Sequence, residues 1–217
     1  MLNRTLVIGF IFISSIFMVS SSVAETVSLE YKGFYDRLKQ VNKQNYPLVE
    51  VAFSVPITSD CTIVSGSITT EKEQFPLPYN EQQRLFIPYD PQLKSDRGLV
   101  NINVTGDAEQ CAIAMQVRAK ETKLNFTQTE LLALTGDMNK LLDGLQGFPM
   151  KYFRKPISGL TFEFANQHNN GTIIMATIDG VESTVDQKYT LTQAKINQLQ
   201  HLSFNQQPTV VSPFVMK

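Results

Sequence analysis

The sequence predicts an α+β fold: an antiparallel sheet or small sandwich of short strands, with three helices packed on it. Three observations lead to this prediction. Apolar residues recur at helical spacing in two long segments, and short alternating segments separated by turn residues lie between them. After the second helical segment, strongly favoured hairpin turns separate further β segments.

The first 24 residues have the three parts of a secretory signal peptide. Arg4 supplies a short positive region, an apolar run spans 6–19, and Ser22-Val23-Ala24 fits the small-x-small pattern of signal peptidase. The alternative, an uncleaved membrane anchor, is disfavoured because a spanning helix needs about 20 apolar residues. We therefore expect cleavage after Ala24 and a periplasmic mature chain, residues 25–217, without a transmembrane segment.

The first half of the mature chain reads as one helix followed by short strands. Tyr31, Phe34, Tyr35 and Leu38 recur at helical spacing, which predicts an amphipathic helix over 28–43. Alternating apolar residues then predict strands, and Pro, Gly, Asn and Asp mark the turns between them. The predicted β segments are 49–55, 61–70, 75–78, 84–88, 99–104 and 111–119.

The clearest helix of the chain begins at a capping box, Thr127-Gln128-Thr129-Glu130. Its apolar stripe is interpreted as packing onto the protein's own sheet, with a partner-binding helix as the alternative. The stripe consists of Leu131, Leu134, Met138, Leu141 and Leu145.

The remaining segments predict a three-stranded meander, with strands at 160–167, 172–178 and 181–185. Asn170-Gly171 and Asp179-Gly180 are the type I′ turns that would join them. A short final helix is predicted over 190–202, and the tail from Gln206 is an edge strand or a loose segment. All of residues 25–217 are interpreted as a single α+β domain, with a possible subdomain boundary near 120–127.

The two cysteines, Cys61 and Cys111, predict one structural disulfide, because thiols oxidise in the exported compartment. Cys111 alternates with Ile113 and Val117, which places it on the inward face of a strand. Two buried thiols or a redox pair are the alternatives, although the usual Cys-x-x-Cys spacing of a redox pair is absent.

Charge argues against nucleic acid as a partner. The mature chain has a formal charge of −2, since removal of Arg4 takes one positive charge from the −1 of the whole chain. This balance exerts no long-range attraction on nucleic acid or anionic lipid. The longest basic run, residues 151–155, is interpreted as a solvated loop.

No catalytic, cofactor-binding or metal-binding residue is assigned from the sequence. The histidines, His168 and His201, share no metal-ligand spacing. A nucleophile elbow and a glycine-rich phosphate loop are absent. A triad assembled by the fold from distant residues stays open, because triads depend on geometry and not on sequence order.

A short sequence pattern that occurs twice suggests a ligand surface. Leu77-Pro78-Tyr79-Asn80 and Ile87-Pro88-Tyr89-Asp90 repeat an apolar-Pro-Tyr-polar pattern. Tyr79 and Tyr89 are candidates for stacking on a sugar or peptide. The alternative is that each proline ends a strand and each tyrosine covers the rim of the sheet.

The chain resembles a family of exported proteins of Gram-negative bacteria, known only as a domain of unknown function. The resemblance rests on the helix at 31–38 with the strand at 49–55, on Phe86-Ile87-Pro88-Tyr89-Asp90-Pro91-Gln92-Leu93, and on the strand at 159–164 with Asp179-Gly180. It implies a periplasmic address and brings no catalytic residues.

Three functional hypotheses follow. The first is a non-enzymatic periplasmic protein that binds an unknown envelope component or protein, without a cofactor. The second is a cryptic hydrolase of an envelope polymer, which requires a histidine in a cleft beside a Ser, Asp or Glu. The third is a structural or assembly factor that uses a partly exposed 131–145 stripe.

Overall fold

A computed structural model describes residues 24–58, 61–147, 149–165 and 173–216. The predicted signal up to Val23, His168 and the Asn170-Gly171 turn lie outside these described residues. The signal therefore stays a prediction.

The described residues form fourteen strands and four α-helices, with short 3-10 turns at 108–110 and 150–152. The strands are β1 (Ala24–Glu30), β2 (Val49–Ser54), β3 (Thr62–Thr69), β4 (Gln74–Pro76), β5 (Arg84–Leu85), β6 (Leu99–Thr105), β7 (Ala114–Ala119), β8 (Asn125–Thr127), β9 (Gly159–Glu163), β10 (Ile174–Ile178), β11 (Val181–Val185), β12 (Lys188–Thr192), β13 (His201–Phe204) and β14 (Val210–Phe214). The helices are α1 (Tyr31–Gln44), α2 (Pro91–Ser95), α3 (Gln128–Gln146) and α4 (Gln193–Ile196).

The strands form four small antiparallel sheets, where the sequence predicted one sheet or sandwich. Their strand orders are β1-β6-β3-β4, β5-β2-β7, β11-β10-β13-β8 and β12-β9-β14. The α+β class is confirmed in its broad form. Strands dominate, and only α1 and α3 are long helices.

Strand β6 shows how the sequence determines burial. Val100, Ile102 and Val104 alternate along it and are fully buried. The intervening Asn101 and Asn103 face the other side, where the Ser28 and Thr26 hydroxyls of β1 donate to their side-chain oxygens. This period-2 pattern is what one buried face of a sheet requires.

The capping box at the start of α3 is confirmed. The Thr127 hydroxyl oxygen accepts from the Glu130 backbone N–H, and the Glu130 carboxylate accepts from the Thr127 backbone N–H. The stripe is buried at Leu131, Leu134, Met138 and Leu141, and Leu145 is half-buried against the core.

The final predicted helix is largely wrong. Within 190–202 the chain forms the end of β12, the single turn α4, and the start of β13. Leu191, Ile196 and Leu199 are buried as helix spacing would allow, but strand pairing with β9 and β8 determines the structure on either side of α4. The short helix α2, capped by the Asp90 carboxylate, was not predicted.

The predicted meander is correct only in its second half. β10 and β11 form a hairpin with Asp179 and Gly180 at positive φ, as a type I′ turn requires. β9 instead pairs with β12 and β14. The tail is thus ordered as an edge strand, with Val211 fully buried.

The Cys61–Cys111 disulfide is present, with 5.5 Å between the Cα atoms. Both residues are buried. Cys111 does not lie on a strand as predicted, because it follows the 3-10 turn at 108–110 and precedes β7. The bridge therefore ties the start of β3 to the connection into β7, and so links two different sheets.

Candidate functional site: the α3 cleft

Tyr89, one of the two predicted ligand-surface residues, is stacked on α1. Its ring lies 4.9 Å from that of Tyr35 at an interplanar angle of 16°, and the two hydroxyls are 3.3 Å apart. This hydrogen bond raises the pKa of Tyr89. The ammonium of Lys94 lies 4.7 Å from the centre of the Tyr35 ring. One face of Tyr89 is thus occupied by the protein itself.

The backbone around Tyr89 is fixed by Tyr31. The Tyr31 hydroxyl donates to the Pro88 carbonyl at 2.6 Å and accepts from the Asp90 N–H at 2.9 Å. Burial raises the pKa of Tyr31. The copy of the repeated pattern around Tyr89 therefore has a structural role, since it joins the start of α1 to the segment before α2.

Tyr79 belongs to a different contact. Its hydroxyl donates to the Val64 carbonyl of β3 at 2.8 Å, and its backbone forms an isolated bridge with Leu85. The two tyrosines are each partly exposed, yet they are anchored to different elements. Their roles as ligand contacts stay predictions.

His201 stands at the start of β13 and is exposed. Its backbone N–H, with that of Gln200, donates to the Asp179 carboxylate, and these bonds lower the pKa of Asp179. Asp179 thus holds the backbone between α4 and β13. Among the described contacts the His201 ring has no hydrogen bond to a Ser, Asp or Glu, so the histidine-based hydrolase gains no support at this residue.

A half-buried charged cluster ties β5, β2 and β7 together. The Glu50 carboxylate forms ion pairs with the guanidinium groups of Arg84 at 2.8 Å and Arg118 at 3.3 Å. Burial, followed by the nearby Arg84 charge, lowers the pKa of Arg118. One carboxylate shared by two guanidinium groups across three strands is an arrangement that supports the sheet.

A candidate ligand site is a cleft of about 440 Å³ beside the first half of α3. Three separate segments build it: the residues before β2, the connection from β7 together with β8, and α3 itself. Its apolar part consists of Pro47, Leu48, Phe126, Ala133 and Leu134. We call it the α3 cleft.

The fold holds the walls of the α3 cleft in place. The Lys120 N–H donates to the Leu48 carbonyl at 3.0 Å, which extends the β2–β7 pairing to the edge of the cleft. The Leu48 N–H lies 3.4 Å from a carboxylate oxygen of Asp137, a buried residue of α3. Phe126 and Leu134 are buried, whereas Leu48 is 40% exposed and presents apolar surface to the cleft.

The rim of the cleft carries both signs of charge. Lys120 donates from its ammonium to the Tyr46 carbonyl, and Lys123 pairs with Glu130. The Lys123 ammonium also lies 5.6 Å from the centre of the Phe126 ring. The Lys123 hydrogen bond, with those from Thr127, lowers the pKa of Glu130 to about 2. This rim is charged on both sides and suits a ligand with polar ends.

Sequence reasoning missed this cleft because its residues come from positions 47–48, 120–126 and 129–134. The local signal in the sequence is slight: an apolar residue, Leu48, just before an alternating strand. The predicted subdomain boundary at 120–127 coincides with one wall of the cleft. Buried residues on both sides of this boundary, from Tyr31 to Val211, form a single hydrophobic cluster.

Within the described residues, no group of three or more His, Cys, Asp or Glu side chains could hold a metal ion. A search of the described helices finds none long and apolar enough to cross a membrane.

Comparison with known proteins identifies the family. The model of the family "protein of unknown function (DUF2987)" matches residues 23–164. The chain belongs to the DUF2987 family. The predicted resemblance to a family of unknown function is thus confirmed, whereas an exported, Gram-negative origin stays a prediction. No curated protein and no solved structure matches the chain.

The DUF2987 match contains every residue of the α3 cleft. It also contains both cysteines and the whole of α1 and α3. The match ends just after β9, whereas the two strands that pair with β9 lie beyond it.

Proposed function

We propose that this DUF2987 protein is a periplasmic, non-enzymatic binding protein whose α3 cleft holds an envelope component. The observation that carries the proposal is the cleft itself, with its apolar floor and charged rim. Its volume of about 440 Å³ lies within the range of about 300–1,000 Å³ typical of ligand pockets.

The charges around the cleft support binding over catalysis. Lys120 and Lys123 are engaged by a backbone carbonyl and by Glu130. Glu130 in turn caps α3. A general acid or base works best with a pKa near the operating pH, and the pKa of Glu130, about 2, is far from neutral. These groups shape the rim of the cleft and orient a bound ligand, which is what a binding site requires.

The disulfide supports an exported address, because such bridges persist in oxidising compartments. The start of the family match is consistent with it as well. The DUF2987 match begins at residue 23, beside the predicted cleavage point. A mature chain starting at Glu25 would keep nearly all of β1 paired with β6.

The lining defines the class of ligand. A short apolar body would cover Leu48 and Phe126, and polar or charged ends would meet Lys120, Glu121 and Lys123. A short amphipathic peptide segment has this chemistry. A strongly charged polymer does not, since the rim carries both signs.

A fluorescent probe tests whether the cleft binds amphipathic molecules. Anilinonaphthalene sulfonate has an apolar body and one anionic end, and its emission rises in apolar sites. We expect Ala133→Phe, which fills the cleft, to lower the affinity for this probe by about tenfold, since burial of an aromatic ring is lost to the ligand.

Leu132→Phe is the matched control, because Leu132 is an exposed neighbour on α3 that does not line the cleft. Far-UV circular dichroism establishes that both variants fold. Equal probe affinity for the two variants would show that the α3 cleft is not a binding site. Non-denaturing mass spectrometry of protein purified from the periplasm then asks which envelope molecules remain bound to the parent and are lost from Ala133→Phe.

A further inference from the structure

The segment 149–156, which joins α3 to β9, presents a cluster of exposed apolar side chains. We call it the aromatic loop. Met150, Tyr152 and Phe153 are 58%, 70% and 78% exposed. Phe153 is the most exposed large apolar side chain of the described residues. Leaving such rings in water is unfavourable, so clustered exposed rings indicate an interaction surface.

The backbone of the aromatic loop is ordered. The Lys151 N–H donates to the Gly147 carbonyl at 2.8 Å, and the Phe153 N–H donates to the Met150 carbonyl at 3.0 Å. The Phe153 bond belongs to the 3-10 turn at 150–152, and the Lys151 bond ties this turn back to the residue that follows α3. The turn holds the aromatic rings outward from the core.

Arg154 fixes the base of the loop to α3. Its guanidinium donates to the Asp143 carboxylate at 2.7 Å and 2.8 Å, and to the carbonyl and side-chain oxygens of Asn139 at 3.1 Å and 3.0 Å. The same Asn139 side-chain oxygen accepts from the Ile157 N–H. Little ordering entropy is then left to lose when the loop binds.

The loop also carries a surplus of positive charge. Arg154 and Asp143 neutralise each other, while the ammonium groups of Lys151 and Lys155 have no ion-pair partner in the described part of the chain. The Lys151 ammonium lies 5.0 Å from the centre of the Tyr152 ring. Exposed rings interleaved with lysines are the composition of an interfacial membrane anchor.

We propose that the aromatic loop docks the protein on the surface of an anionic phospholipid bilayer. Tyr152 and Phe153 enter the headgroup region, and Lys151 and Lys155 contact lipid phosphates. This differs from the solvated loop that the basic run predicted, because the sequence did not show that the rings face water. The net charge of the chain still gives no long-range attraction to anionic lipid, so the attraction comes from the local lysines at the membrane surface. A lipid surface fits better than a protein partner, since a stable protein interface needs roughly 1,000 Å² and a concentrated basic tip suits phosphates.

The absence of tryptophan from the sequence makes a direct test possible. Phe153→Trp places a single reporter at the tip of the loop, and Val181→Trp places one on the β10–β11 hairpin at a similar exposure of 72%. The protein used begins at Ala24, which includes every described element and leaves out the apolar run. With phosphatidylglycerol-containing vesicles we expect a blue shift and quenching by brominated lipid for Phe153→Trp only.

Co-sedimentation with the same vesicles measures affinity. We expect Phe153→Ser to lower the partition coefficient by about tenfold through lost apolar burial, and Lys151→Gln and Lys155→Gln by about fivefold each. Val181→Ser should leave it unchanged. Binding should weaken as salt is raised and be absent with pure phosphatidylcholine.

Three results would overturn the proposal. No sedimentation with anionic vesicles would exclude docking. Sedimentation without a blue shift at position 153 would place the lipid contact elsewhere. A concentration-dependent blue shift without vesicles, accompanied by a dimer in light scattering, would make the loop a protein interface. None of these results depends on the α3 cleft, so the two proposals fail or stand separately.

Discussion

Removing the buried Cys61–Cys111 bridge should strongly destabilise the protein. The two cysteines are 50 residues apart in sequence. In the chain-entropy model a loop of this length gives about 4 kcal/mol of stabilisation, because the bridge restricts the unfolded chain. The 5.5 Å between the Cα atoms is a usual separation for a disulfide, so we expect nearly the full value in the free energy of unfolding.

Urea unfolding followed by far-UV circular dichroism measures the effect. Three samples separate its causes: the oxidised chain, the chain reduced with dithiothreitol, and Cys61→Ala/Cys111→Ala. Comparison of the oxidised with the reduced chain isolates the cross-link. Comparison of the reduced chain with the double alanine variant isolates the loss of two buried sulfur atoms, for which we expect about 1 kcal/mol per residue. The dependence of the unfolding free energy on urea should rise once the bridge is absent, since the unfolded chain then exposes more surface.

Mass spectrometry of native protein should show it lighter than the reduced chain by two hydrogens. If the oxidised and reduced chains differ by less than about 1 kcal/mol, the bridge does not restrict the unfolded ensemble as the entropy model requires. Two free thiols in protein taken from the periplasm would contradict the exported address as well.

Further predictions concern polar groups that hold the fold together. Gln83 is buried, and its side-chain amide donates to the Pro56 and Cys61 carbonyls and accepts from the Ile63 N–H. Gln83→Leu should therefore lower the free energy of unfolding in urea by about 3 kcal/mol. A loss below about 1 kcal/mol would contradict this role. Arg154→Lys should fail to rescue the roughly 2 kcal/mol lost in Arg154→Ala, because an ammonium cannot contact Asp143 and Asn139 together; equal stability of Arg154→Lys and the parent would refute it. The pKa of Glu130 is depressed from 4.5 to about 2, so its contribution to stability is complete above 4.5 and is lost as pH falls toward 2. The stability–pH profile of Glu130→Gln should be flatter in that window, and a profile parallel to that of the parent would contradict the cap.

The parts of the fold that could be predicted from the sequence depend on neighbouring residues. The capping box from Thr127 to Glu130, the alternation of β6 and the Asp179-Gly180 turn each need contacts only a few residues long. Their local preference and the final structure agree. The disulfide was predictable for a different reason, since only one pairing of two cysteines exists.

The incorrect predictions involve distant partners. Residues 190–192 and 201–202 have an apolar spacing compatible with a helix, yet they pair as strands with β9 and β8. β9 precedes two favoured turns, but its partners come from about 30 and 50 residues later in the chain, and no local pattern contains that information. The α3 cleft was missed for the same reason, because its walls meet only after folding.

The strands beyond residue 164 matter for how the DUF2987 unit is understood. β9 lies inside the family match, but each of its edges pairs with a strand outside it, β12 on one side and β14 on the other. Leu160 and Phe162 of β9 are fully buried, and Phe162 packs against Phe126 of the cleft floor at 5.5 Å between ring centres. Residues 188–214 therefore support the floor of the α3 cleft through β9, although they contribute none of its lining. A ligand bound in the cleft would therefore contact a floor that residues inside the family match form and that the C-terminal strands support.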